Sequence, residues 1–124
     1  MTVVLLRHAS AGDRDAWEGD DRLRPLDKRG RKQAEALRDR LLAAGVSRVL
    51  SSPYLRCVQT VEPLGLDIEL DERLAEGAPR EETLALLAEA DGAVACTHGD
   101  VIENVLGRSL KKGEAVVLPE GRVL

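Results

Sequence analysis

Phenylalanine is absent from the chain, and Trp17 and Tyr54 are its only aromatic residues. Any core must therefore be assembled from Leu, Val and Ala. No run approaches the ~18 consecutive apolar residues of a membrane span, and the first residues carry no basic region ahead of an apolar signal core. These absences read as a cytoplasmic chain with no membrane partner. Cysteine is scarce as well. Without a secretion signal, Cys57 and Cys96 are expected to be reduced and buried as small hydrophobes. An excess of positive charge is also missing. A formal net charge of −4 removes any general electrostatic reason to expect nucleic acid as a partner.

What is present is the balance of a folded chain, 32% charged and 44% hydrophobic, rather than that of a disordered one. A length of 124 residues fits a single domain. At that length roughly two-thirds of the unfolded surface can be buried, so no staple is required. There are no internal repeats, low-complexity tracts or linkers.

Residues 2–6 (TVVLL) form an apolar, β-branched run, the pattern of a strand buried on both faces. A polar stretch from Ala9 to Leu26 reads as a long loop, a length that is often functional. Asp27 can cap a helix with Ala34, Leu37, Leu41 and Ala44 on one face, stopped by Gly45. Arg48 to Ser51 is a second strand. Ser52 is placed to cap the next helix, with Pro53 in its first turn. Leu66 to Leu70 is a weaker third strand. Pro79 opens a helix in which Leu84, Leu87 and Ala88 recur at helical spacing. "AVAC" (93–96) is a fourth strand, followed by a short helix to Leu106. "EAVVL" (114–118) is a last strand, and Gly121 turns the tail into an edge hairpin.

Strands alternating with helices predict a three-layer α/β/α sandwich on a mostly parallel sheet. Ligands of such sheets bind beyond the carboxyl ends of the strands. Arg7 and His8 follow strand one, Arg56 lies in the first turns after strand two, and His98 follows strand four. Two arginines, two histidines and a helix N-terminus at one edge describe a pocket for a tetrahedral oxyanion. A neutral imidazole among these cations can attack phosphorus. Neighbouring positive charge is expected to hold His8 unprotonated at neutral pH.

"LLRHASAG" resembles the Arg-His-Gly box of the histidine phosphatase superfamily, whose fold is phosphoglycerate mutase-like. "RPLDKRGRKQAEAL" is similar to that family's first helix, "SSPYLRCVQT" to its Ser-Ser-Pro segment, and "CTHGDVI" to its second histidine box. Within the family the short chain most resembles the SixA-type phosphohistidine phosphatases. It also resembles the phosphatase half of actinobacterial proteins that carry a Nudix domain, although no Nudix box occurs here.

The resemblance implies one histidine phosphatase domain over 1–124. His8 would be the nucleophile, and Arg7, Arg56 and His98 the rest of the phosphate pocket. Glu76, in "RLAEG", would be the proton donor, with Glu72 and Asp13 as other acids in reach. It implies no cofactor and no metal, and arginines beside histidines argue against a cation. Ala9 stands where the family's box has Gly. Asn104 reads as surface, and Trp17 as a contact to substrate or part of a lid.

The substrate implied is phosphorylated, a phosphohistidine protein ahead of a small molecule. The acid-rich loop "AGDRDAWEGDD" is expected to repel polyphosphates and attract basic protein surface. The alternatives are a small-molecule phosphomonoesterase, a phosphoglycerate mutase-like enzyme, and a non-catalytic module that binds a phosphorylated ligand.

Overall fold

Alternation within the first strand splits the core in two. Val4 and Leu6 join one buried cluster, and Val3 and Leu5 join another on the opposite face of the sheet. The computed structural model describes residues 2–124. Ten main elements follow one another: β1 (Val3–Arg7), α1 (Lys28–Ala43), β2 (Arg48–Ser51), α2 (Leu55–Val61), β3 (Ile68–Leu70), α3 (Arg80–Leu87), β4 (Ala93–Thr97), α4 (Gly99–Leu106), β5 (Ala115–Leu118) and β6 (Arg122–Val123). The six strands form one sheet in the order β3-β2-β4-β1-β5-β6. The pairs β1–β4, β2–β4 and β2–β3 are parallel, and β1–β5 and β5–β6 are antiparallel.

Helices α1 and α2 cover the face of Val4 and Leu6 through Leu37, Leu41, Cys57 and Val61. The other face receives Leu86 and Leu87 of α3 and Ile102 of α4. Burying each Leu, Val or Ile contributes about 1.5–3 kcal/mol, so these two layers carry the fold without aromatic residues. Among the described residues, no helix is long and apolar enough to cross a membrane.

Parallel register sets the site. Arg7 pairs with Thr97 and Ser51 with Cys96, so β1, β2 and β4 end level with one another. The next residues are His8, Ser52 and His98. The backbone N–H of His8 donates to Thr97 O at 3.1 Å, and that of Ser52 to Cys96 O at 3.0 Å.

Several local expectations are corrected. Ala44 is exposed, and α1 buries Gly30 in addition to Ala34, Leu37 and Leu41. Gly30 has a steric reason to be there: a Cβ would lie 1.8 Å from the carbonyl oxygen of Ser10. In α3 the buried leucines are Leu86 and Leu87, because the helix leans its Leu84 side toward a surface groove. Ser52 does not cap α2. Its hydroxyl turns to His98 and accepts from the Tyr54 N–H, while α2 begins after Tyr54.

The 9–26 loop is also more ordered than its polarity suggests. It contains two 3₁₀ turns, Arg14–Ala16 and Asp21–Leu23, with Asp13 and Asp20 accepting from backbone N–H groups at their starts. Ala9, Ala11 and Leu26 pack on Ala34, pinning both ends of the loop to α1.

Candidate active site

His8 is only 6% exposed, and its Nδ1 lies 2.8 Å from Ala9 O. A carbonyl oxygen can only accept, so Nδ1 carries the proton and Nε2 keeps the lone pair. Burial lowers the His8 pKa from 6.5 to about 3. The nearby His98, Arg56 and Arg7 push the same way, and the bond to Ala9 O opposes them. The imidazole is therefore neutral at pH 7, as charge alone had suggested, but desolvation is the larger cause.

Around it stand the other residues the sequence singled out. The His98 ring lies 5.4 Å from that of His8, edge to face. Ser52 Oγ sits 2.9 Å from His98 Nε2 and also accepts the Tyr54 N–H. His98 Nδ1 is buried with no hydrogen-bond partner. Tyr54 supports the arrangement, its ring 4.6 Å from His98 and 4.8 Å from the Arg56 guanidinium.

Arg56 is fully buried at the start of α2. Its Nη1 donates to Asp21 O at 2.8 Å and its Nη2 to Asp21 Oδ2 at 3.0 Å, with Glu76 Oε2 3.5 Å from Nη2. Arg7 donates through Nη1 to Leu110 O at 2.7 Å. Its guanidinium passes so close to α4 that a Cβ on Gly99 would meet it at 3.0 Å. The Nε atoms of Arg7 and Arg56 are buried without a partner. Three buried, unpartnered nitrogens, Nε of Arg7 and Arg56 and Nδ1 of His98, thus belong to the three residues around His8. An oxyanion is the group that satisfies such a set.

Glu76 also reaches the site, through an ion pair with Arg14 as well as its approach to Arg56. Glu72 does not reach it, because Arg22 holds that side chain on the exposed surface. Asp13 does border the site, in the wall of a cavity of about 380 Å³ lined by Arg7, His8, Gly12, Asp13, Arg14, Arg24 and Lys112.

That wall reverses the electrostatic expectation for the loop. Within it Asp13 and Asp20 hold turns, and just past it Asp27 caps α1 and accepts from Ser10 and Gly12. Asp21 is partly desolvated, yet the Arg24 and Arg56 guanidiniums hold its carboxyl below the usual range. The groups left facing the cavity are four cations and one carboxylate.

Sequence reading missed Asp21, Arg24 and Lys112. Lys112 arrives on the turn before β5, so only the antiparallel pairing of β5 with β1 reveals it. Trp17 faces a neighbouring groove with Pro25 and Leu26, its Nε1 donating to Asp20 O at 3.0 Å. Asn104 is exposed. Cys57 and Cys96 are buried free thiols, and Cys57 Sγ packs 3.6 Å from His98 Nε2. Among the described residues, no group of three or more His, Cys, Asp or Glu side chains converges as a metal site.

Residues 3–84 match the family model of the histidine phosphatase superfamily, branch 1. An 8-oxo-(d)GTP phosphatase of Mycolicibacterium smegmatis is 39% identical over 116 residues, covering 85% of this chain and 36% of the relative. The chain thus spans about a third of that relative's length. Among solved structures, the protein histidine phosphatase SixA complexed with tungstate superposes with a TM-score of 0.78 at 22% identity, covering 100% of this chain and 93% of the other. A mycobacterial glucosyl-3-phosphoglycerate phosphatase superposes at 0.72 with 18% identity, covering 94% and 88%. The chain belongs to the histidine phosphatase superfamily.

Proposed function

We propose that this chain carries a metal-independent phosphatase domain that works through a phosphohistidine at His8. The observation that carries the reading is a neutral, buried His8 with Nε2 free, ringed by the unpartnered nitrogens of Arg7, Arg56 and His98. In this reading Nε2 attacks phosphorus while those three donors hold the phosphoryl oxygens, where electrostatics and positioning carry most of the catalysis. Glu76 is the acid for leaving groups that need a proton. Its place beside Arg56 supports that role, and it must first leave its pair with Arg14. Water then hydrolyses the phosphoenzyme.

Two substrate classes suit the site. A phosphohistidine on a protein surface suits a cavity walled by the end of β1, the 9–26 loop and the turn carrying Lys112. Its nitrogen leaving group also demands little acid. A small phosphorylated compound is the second reading, favoured by the cationic wall and by the 8-oxo-(d)GTP phosphatase relative.

The test is phosphate release from an aryl phosphate in excess chelator. The parent turns it over and His8→Ala does not, while circular dichroism shows both folded. Phosphate binding without any turnover by the parent makes the chain a binding module instead.

A further inference from the structure

The turn before β5 is bound to the nucleophile's own backbone. The Gly113 N–H donates to the carbonyls of both Arg7 and His8, each at 3.1 Å, and the Arg7 N–H donates to Glu114 O at 3.1 Å. These bonds fix Lys112 in the cavity wall, across from Arg14 and Arg24 of the 9–26 loop. Arg24 is itself buried, locked by Asp21 and by the Ala11 carbonyl at 2.8 Å. Among the described residues Lys112 joins no ion pair.

None of these three cations is needed for one phosphoryl group, since Arg7, Arg56 and His98 already surround His8. The cavity of about 380 Å³ also lies within the ~300–1,000 Å³ usual for small ligands, more room than one phosphoryl group needs. Arg14 pairs with Glu76 and Arg24 with Asp21, so a phosphoester of a neutral alcohol, or a phosphorylated imidazole, leaves Lys112 without an anionic partner and the wall with more cations than carboxylates. A phosphate chain does not.

We propose that Arg14, Arg24 and Lys112 form a second anion subsite, and that the preferred substrate is a phosphoanhydride whose penultimate phosphate rests on it while His8 takes the terminal one. This deepens the phosphatase reading above and rests on it. The His8 Nε2–P bond forms as the bond from phosphorus to the bridging oxygen breaks. The electron pair leaves on the shortened phosphate chain, an anion that the three cations stabilise without a proton from Glu76. Water then attacks phosphorus, the P–N bond breaks back to His8, and the water's protons pass to orthophosphate and solvent.

Titration calorimetry with orthophosphate and tripolyphosphate, in chelator so that no metal complex forms and with His8→Asn in every protein so that none turns over, reads the subsite. The parent in that background is expected to bind tripolyphosphate at least tenfold tighter than orthophosphate. Lys112→Ala should cut that ratio about tenfold, and Lys112→Arg should restore it. A nucleoside triphosphate tighter than tripolyphosphate names a nucleotide as the source, and equal binding names the phosphate chain alone. A ratio near one in the parent, or one unchanged by Lys112→Ala, overturns the subsite. Phosphate release from the same compounds with His8 intact separates the two claims. Monoester turnover without a tripolyphosphate preference leaves the phosphatase reading intact, whereas preferential binding with no turnover of anything keeps the subsite and removes the phosphatase.

Discussion

Arg56 holds Asp21 at two points, its Nη1 on the carbonyl at 2.8 Å and its Nη2 on the carboxylate at 3.0 Å. The guanidinium is fully buried, and the Asp21 side chain is 33% exposed. A buried cation stripped of its partner is costly, by ~3–5 kcal/mol when both charges are deep. With Asp21 partly in water, Asp21→Ala is expected to lose about 1–3 kcal/mol, less than the fully buried limit. Phosphate or tungstate should then raise the melting temperature more in the variant than in the parent, because the anion replaces the lost carboxylate. Equal shifts in the two proteins would contradict this account of Arg56.

Glu76→Gln separates a proton donor from a structural carboxylate. Alkyl phosphates need a proton on the leaving oxygen in the transition state, and aryl phosphates need far less. The variant is expected to slow alkyl phosphate hydrolysis about a hundredfold more than aryl phosphate hydrolysis, the low end of the ~10²–10⁴ range of acid catalysis. Equal effects on both would pass the role to Asp13, the carboxylate in the cavity wall.

Burial of a neutral His8 has a pH signature in stability. Its pKa falls from 6.5 to about 3 on folding, so between those values the unfolded chain binds the proton that the native state refuses. Stability from this group is complete above pH 6.5 and is lost as pH falls toward 3. At about 1.4 kcal/mol per pH unit, the group contributes a loss of about 2 kcal/mol from pH 6.5 to 5. Urea unfolding at both pH values should show that slope in the parent, and His8→Asn should flatten it by a similar amount. A slope identical in both proteins would mean that His8 is not held neutral.

Gly30→Ala tests how closely the loop after His8 lies on α1. The new Cβ would meet the Ser10 carbonyl at 1.8 Å, a backbone atom that also accepts the Asp27 N–H at 3.1 Å. Overpacking costs about 1–3 kcal/mol where side chains can shift, and here two backbones must part, so a loss at or above that range is expected. A melting temperature within a degree of the parent's would place the loop elsewhere.

The sequence alone made legible what depends on chain order. Apolar runs ending at Arg7 and Thr97 place His8 and His98 at one sheet edge as soon as β1 and β4 are parallel neighbours, and "SSPYLRCVQT" puts Arg56 there too. What it hid depends on loop conformation and antiparallel pairing. Counting acids in the 9–26 loop gave the wrong sign for the cavity wall, because Asp13 and Asp20 bind backbone N–H groups while Arg14 and Arg24 line the space. Lys112, more than a hundred residues from His8, enters only through the Gly113 bonds. Ser52 looked like a helix cap because caps are its commonest use, but its hydroxyl is oriented by His98.

A covalent phosphoryl group on His8 is the one species that nucleophilic catalysis requires and a binding module never forms. The measurement is rapid alkaline quench of the parent during its first turnover of a phosphorus-labelled aryl phosphate, followed by peptide mapping. Label stable in base and labile in acid, on the peptide containing His8 and missing from His8→Ala, is the expected result. Phosphate release by His8→Ala at the parent's rate, or turnover with no label on that peptide, would contradict it.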